Sequence, residues 1–429
     1  MHRSVFRLSA AFFAVFCMAA SAAGQAPADA GSGVHALRAG IVKIDITPDK
    51  PVKLSGYGSR KELSTGVHDP LSARIVAFQS GDQRLVLVST DLIGFYNTYE
   101  PIRDAICERF GLKASEIFLS SIHSHSAPTP TLDLDGHANN VEYTQGLKAK
   151  LLEAVGLALQ KIEPVEMGMG RGYSPVGCNR REKQPDGSIK LGRNPYGPTD
   201  KEVLVMKLAR PDGTPVAALF DYATHATSLG PRNLEISGDV LGLAAQFVEK
   251  ILGPDLIAPV FAGASGNIDP WYRVRPSFDD TPGWIPEPVL LGTLLGEEVV
   301  YVFRDVKTMS SDARIKTELV TLELPAKVDP DRKENASATK PLNLTVATIG
   351  DVALVGVGCE LLTELGMAIK AGSPYGHTLV ITHCNGKAGY LPPKHVYPEG
   401  GYEVNSSGFG PEAGDLLVKE AVEMLKRLK

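Results

Sequence analysis

Residues 84–128 read RLVLVSTDLIGFYNTYEPIRDAICERFGLKASEIFLSSIHSHSAP. An apolar, β-branched run over Arg84–Ser89 gives way to an amphipathic helical pattern over Tyr99–Phe110. A second apolar run follows over Ile117–Ile122. Short apolar runs of this kind are buried strands, and their alternation with helices predicts an α/β architecture. The pattern recurs outward from this stretch. Strands are predicted at Glu202–Leu208, Val216–Phe220, Leu256–Phe261, Val352–Val357 and Leu379–Thr382. Helices are predicted at Tyr143–Ile162, Val240–Leu252, Val289–Phe303, Glu360–Ala371 and Pro411–Leu428. Gly-, Pro- and Asn-rich loops fill 174–200, 264–287 and 384–410. Long ordered loops are usually functional rather than linkers, so residues 36–429 read as one large domain.

The N-terminus predicts export. Arg3 and Arg7 precede an apolar run from Leu8 to Ala20, and Ser21, Ala22, Ala23 and Gly24 follow. A basic start, a short apolar run and small residues make a secretory signal peptide over 1–26, with a flexible start over 27–35. The expected location is periplasmic or secreted, with no integral membrane segment after cleavage. A formal charge of −5 and the absence of a basic run exclude nucleic acid as a partner. No motif speaks to oligomeric state. Cys107, Cys178, Cys359 and Cys384 match no zinc spacing and read as isolated buried thiols.

His123 and His125 stand two apart at the end of a predicted strand, which would turn both side chains to one face. Neutral imidazole is a common zinc ligand, and strand ends are where α/β proteins keep their sites. His225 in LFDYATHATSLG occupies the same kind of position. Glu360 is expected to open a helix, where the dipole favours a carboxylate; Glu364, one turn later, is expected to pair with Lys370 or cap locally. From these residues alone, a metal site and a set of hydrogen-bonded histidines both remain open.

Several motifs together carry a resemblance. They are GIVKIDITPDKPVKLSGYGSR (40–60), STGVHDPLSARIVAF (64–78), LVSTD (87–91), SSIHSHSAP (120–128), YATHATSLG (222–230), VGCELLTELG (357–366) and a Tyr-rich region near the end. In this order they resemble the catalytic domain of the neutral (alkaline, non-lysosomal) ceramidases, from about Gly40 to Gly410. HSHSAP is similar to that family's H-T-H-S-G-P, and HATS to its H-P-T-S. The resemblance implies a single large domain of mixed β-sheets flanked by helices. It implies Zn2+ bound by His123, His225, Glu360 and Tyr390, and Tyr402 lies twelve residues beyond Tyr390, as a second Tyr does in the family. His125 and Arg180 match residues close to the substrate amide.

One departure is informative. Where the family has G-D-x-S-P, this chain has Gly266-Asn267-Ile268-Asp269-Pro270, so Asp269 replaces the family Ser. On this resemblance the chain is also expected to end near the end of the catalytic domain, without the family's C-terminal β-sandwich. The implied chemistry is hydrolysis of a linear amide in a small N-acyl substrate, lipid-like in the family, by metal-activated water. Tyr402 and Arg180 would stabilise the oxyanion, His125 would move a proton, and Asp269 would hold water or a substrate amine or hydroxyl. Asp91 and Asp239 are candidates for orienting the imidazoles. Trp271 and Tyr272 are candidates for a substrate groove. Two rivals stand beside this reading: a metal-free serine esterase using Ser265 with His225, and a non-catalytic periplasmic binding protein on the same scaffold.

Overall fold

The computed structural model describes residues 35–271, 287–327 and 339–429. The expected signal peptide over 1–26, all but the last residue of the flexible start, and Tyr272 lie outside the described residues. The first sheet has strand order Ile117–Ser121, Gln83–Thr90, Ser72–Ser80, Leu37–Asp45 and Glu163–Pro164. The second runs Val260–Ala262, Pro215–Tyr222, Glu202–Ala209 and Glu166–Tyr173. The third runs Ile315–Pro325, Thr339–Ile349, Val352–Val357 and His377–Ile381.

In each sheet one edge strand is parallel to its neighbour while the other pairs are antiparallel. Ile117–Ser121 lies along Gln83–Thr90, Val260–Ala262 along Pro215–Tyr222, and His377–Ile381 along Val352–Val357. A parallel return needs a crossover, and a helix supplies each one: Tyr99–Phe110, Asp239–Leu252 and Thr363–Gly372. The strands of these pairs are nearly all buried, which is why they read as unbroken apolar runs. Their inner faces share one core. Phe78, Phe118, Met206, Phe261, Leu354 and Ile381, drawn from all three sheets, belong to a single buried cluster. Helix Ala138–Gln160 covers the first sheet, and Ala413–Leu428 packs on the third. Asp239–Leu252 packs against Glu287–Asp305, which lies on the second.

The region read as a loop over 174–200 is corrected. It holds a hairpin, Gly177–Lys183 with Ile189–Asn194, turned at Gly187 with φ 85°. Its outer half is charged and exposed, so no apolar alternation betrays it. The hairpin's inner strand pairs with Ile268–Pro270, setting Cys178 opposite Asp269.

A fully buried Arg74 bonds Asp91 at 2.9 Å and Glu249 at 2.9 Å, tying the first sheet to helix Asp239–Leu252. Cys107, Cys178, Cys359 and Cys384 are all free thiols. Among the described residues, no helix is long and apolar enough to cross a membrane.

Candidate active site

The parallel pairs bring their C-terminal ends together, and the polar residues just beyond those ends form one cluster. His123 follows Ile117–Ser121, His225 follows Pro215–Tyr222, and Glu360 follows Val352–Val357. The expected same-face geometry of His123 and His125 is corrected, because the strand stops at Ser121 and His123 takes φ 62°. The two rings still meet, at 4.9 Å between centroids. The loop is held by Ser124 N donating to Leu92 O and His125 N donating to Ala226 O, each at 3.0 Å. The latter bond draws it against the segment after His225. Ring nitrogens of His123, His125 and His225 then all lie within 4.8 Å of one another.

Backbone carbonyls set the tautomers. His123 Nδ1 donates to Ile93 O at 2.8 Å, and His225 Nδ1 donates to Ser265 O at 2.7 Å. This turns each Nε2 into the cluster, toward Glu360 Oε2 at 3.3 Å from His123 and 3.5 Å from His225. Carbonyls thus do what was expected of Asp91 and Asp239. Asp91 is instead spent on Arg74 and Ser72 N, and Asp239 accepts from Ser228 N and Leu229 N, shaping the loop after His225.

Glu360 does not open a helix. Residues Glu360–Leu361 form a short strand parallel to Tyr390–Leu391, with Glu360 opposite Tyr390, and the helix starts at Thr363. That pairing places the Tyr390 phenol beside the Glu360 carboxylate. Glu364 points elsewhere, accepting from Asn267 Nδ2 at 2.9 Å, while Lys370 pairs with Asp200 and Glu202.

Arg180 joins the remaining residues. It is 2% exposed, and it donates through Nε to Glu403 at 2.8 Å, through Nη1 to Asp269 at 3.3 Å and through Nη2 to the Tyr390 hydroxyl at 3.1 Å. Nη1 also lies 3.3 Å from His225 Nε2. Its guanidinium sits over the Tyr390 and Tyr402 rings, and Tyr402 is half-exposed at the edge of the site. Asp269 Oδ1 accepts from Thr227 as well, so the residue standing in for the family Ser holds Arg180. All eight anticipated side chains therefore meet: His123, His125, Arg180, His225, Asp269, Glu360, Tyr390 and Tyr402.

Sequence reasoning missed three neighbours. Glu403, fully buried beneath Arg180 and Arg181, directly follows Tyr402 and could have been found from that adjacency. Tyr57 packs its ring edge-on to His125 at 4.9 Å. His383 stacks on His123 at 3.8 Å, just past the strand His377–Ile381. A histidine just past a strand was the signal used for His225, and it was present here too.

The electrostatics follow from burial. Burial and the neighbouring imidazoles of His123 and His225 hold His125 well below the usual histidine range, keeping it neutral. Burial alone would raise the Glu360 carboxyl, but the His123 and His225 rings beside it hold it well below the ordinary value. Burial and the Glu360 charge push the Tyr390 phenol well up. Among the described residues, both nitrogens of His125 and Glu360 Oε2 are buried without a partner of hydrogen-bonding geometry. Buried polar atoms are rarely left so. Two Nε2 atoms aimed by carbonyl bonds, a carboxylate oxygen close to both and an imidazole without a partner among the described residues fit a divalent cation with nitrogen and oxygen ligands.

A separate cavity of 360 Å³ is lined by Val176, Cys178, Thr199, Lys201, Trp271 and Leu291. Trp271 lines this cavity, and none of the eight site residues does.

Residues 37–264 match the family model described as neutral/alkaline non-lysosomal ceramidase, N-terminal. A neutral ceramidase of Mycobacterium tuberculosis is 27% identical over 251 residues, covering 50% of this chain and 37% of that protein. Neutral ceramidase B of Dictyostelium discoideum is 27% identical over 272 residues, covering 59% of this chain and 38% of that protein. The chain thus spans little more than a third of the length of these relatives. Among solved structures, a ceramidase complexed with C2 superposes with a TM-score of 0.77 at 17% identity, covering 92% of this chain and 75% of that one. A neutral ceramidase from Pseudomonas aeruginosa gives 0.73 at 18% identity, with the same coverage. At these identities the likeness to the solved structures is one of fold.

Proposed function

Because the chain belongs to the neutral/alkaline non-lysosomal ceramidase family, we propose that it is an exported zinc-dependent hydrolase that cleaves the amide bond of an N-acyl substrate. The observation that carries this reading is that Glu360 Oε2 lies 3.3 Å from His123 Nε2 and 3.5 Å from His225 Nε2, with both Nδ1 atoms already engaged. His123, His225 and Glu360 would hold the ion, with Tyr390 as fourth ligand. Bound there, zinc supplies Lewis acidity toward the amide carbonyl and a lowered pKa for water.

The protein groups supply the rest. Arg180, fixed by Glu403 and Asp269, and Tyr402 at the edge donate to the oxygen that gains negative charge as water adds to the carbonyl carbon. Such a donor is worth about 3 kcal/mol. His125, held neutral, takes the proton of the attacking water and passes it to the amine nitrogen as the C–N bond breaks. The serine route lacks its dyad. Among the described residues Ser265 Oγ has no hydrogen-bond partner, and it is the Ser265 carbonyl that accepts from His225 Nδ1.

The test is metal content by elemental mass spectrometry, on purified protein and on a His123→Ala/His225→Ala variant, beside hydrolysis of N-acyl amides with and without chelator. About one zinc per chain, lost in the variant, with chelator-sensitive turnover that survives Ser265→Ala, supports the reading. Chelator-resistant turnover abolished by Ser265→Ala would establish the serine route instead. Metal without any turnover would leave a binding protein. N-terminal sequencing of exported protein checks cleavage between about Ala22 and Ala26.

A further inference from the structure

We infer that His383 is a positioning residue for the cation site, holding the His123 ring in the orientation that receives the ion; the inference rests on the metal reading above. The two candidate imidazole ligands are held unequally. His225 Nδ1 lies within reach of two carbonyls, Ser265 O at 2.7 Å and Ile268 O at 3.1 Å, which fix both its tautomer and its tilt. His123 Nδ1 has a single acceptor, Ile93 O. One hydrogen bond selects the tautomer but leaves the ring free to rock about that bond.

His383 removes this freedom. Its ring lies flat on His123, with centroids 3.8 Å apart and planes 11° from parallel. The His125 and His225 rings meet His123 at steep angles, 82° and 77°, and bound it from other sides.

The backbone that presents His383 is built for that placement. His383 adopts φ 51° and Asn385 φ 55°, in the left-handed region that side chains other than glycine rarely occupy. His123 does the same, at φ 62°. Strain of this kind persists only where the surroundings over-determine it, and here they do. Thr382 N donates to Ala262 O, His383 N to Cys359 O, Cys384 N to Val357 O and Asn385 N to Leu119 O. The turn is thereby fastened to all three sheets, and the bond to Cys359 ties it to the residue before Glu360. Among the described residues His383 makes no side-chain hydrogen bond, so its placement serves the stack and not a polar network of its own.

Zinc affinity, measured by competition with a chromophoric chelator, tests this without reference to turnover. Wild type, His383→Ala and His383→Phe are compared, with melting of each metal-free protein as the check on folding. Loss of a hydrogen-bonded outer-shell partner of a metal-bound histidine costs about 10–100-fold in affinity; His383 touches His123 by its face alone, so a loss at the lower end, about 10-fold, is expected for His383→Ala. His383→Phe, which keeps a flat ring without a nitrogen, is expected to stay close to wild type. Wild-type affinity in His383→Ala overturns the inference while leaving the metal reading intact. A loss in His383→Phe as large as in His383→Ala also overturns it, since the nitrogen would then matter and not the face. Should His383→Ala fail to fold, His383→Leu, which fills space without a planar face, takes its place in the comparison. Failure of the wild type to bind zinc removes both the metal reading and the inference.

Discussion

Replacing Glu403 with Gln isolates the electrostatic contribution of the network under Arg180. Glu403 is fully buried and accepts from Arg180 Nε at 2.8 Å and Arg181 Nη1 at 2.9 Å. Glutamine keeps the shape but has only one acceptor oxygen, so one guanidinium must face an amide NH2. The change also removes the charge both arginines share. Breaking a buried pair by neutralising one partner costs about 3–5 kcal/mol. At about 2 °C per kcal/mol for a chain of this size, the melting temperature should fall by about 6–10 °C. The internal control is Glu399, which meets Arg181 Nη2 at 3.0 Å but whose side chain is 49% exposed. A pair with so exposed a carboxylate is worth about 0–1 kcal/mol, so Glu399→Gln should shift the melt little. Scanning calorimetry on the three proteins reads the contrast, and amide hydrolysis should fall in Glu403→Gln because Arg180 loses its anchor. A Glu403→Gln melt no lower than that of Glu399→Gln would refute the reasoning.

Two further substitutions probe other features. Gly56 has φ 93°, and a Cβ there would sit 2.3 Å from His125 Nδ1, so Gly56→Ala must displace the His125 ring. Turnover should fall about 100-fold, as for a misplaced catalytic group, with a stability cost of about 1–3 kcal/mol from the backbone; unchanged turnover would show that His125 is not required where it lies. Asp221 is 1% exposed with Oδ1 unpartnered, and burial, opposed by Lys370, pushes its carboxyl up to about 7. A raised folded-state value means that the contribution to stability is fully present below the unfolded value, and is lost as pH rises through about 7. Asp221→Asn, neutral throughout, should therefore melt higher than wild type at about pH 8, and that advantage should shrink as pH falls toward 5. An advantage independent of pH would contradict the assignment.

What the sequence disclosed depended on burial. Val352–Val357 and Tyr99–Phe110 begin and end where their apolar patterns do, because the strand is buried throughout and the helix hides one stripe. Gly177–Lys183 and Ile189–Asn194 were invisible because charged residues crowd their outer ends, and their pairing is decided by contact with Ile268–Pro270. The site was legible as a set of residue types at strand ends, yet its geometry was not. Glu360 was expected in a helical turn, but a two-residue pairing with Tyr390 overrode helix-terminus logic. Carboxylates were expected behind the imidazoles, but carbonyls of Ile93 and Ser265 were closer to hand. His383 lies just past the strand His377–Ile381, outside every motif that carries the resemblance.

The derivation of the site from three separate strand crossovers bears on when it can form. His123, His225 and Glu360 emerge far apart during synthesis, and Tyr390 and Glu403 come later still. The first two sheets can gather apolar contacts early, but the polar cluster stays incomplete until the last third of the chain has docked. Contacts of such long sequence separation form slowly, because loop closure must be met before they give anything back. Until then the histidines face solvent in a partly built chain, open to stray cations. On the proposed metal reading cation capture would be a late event, and recovery of a full complement of bound ion after refolding would mark the moment the third sheet joins the other two.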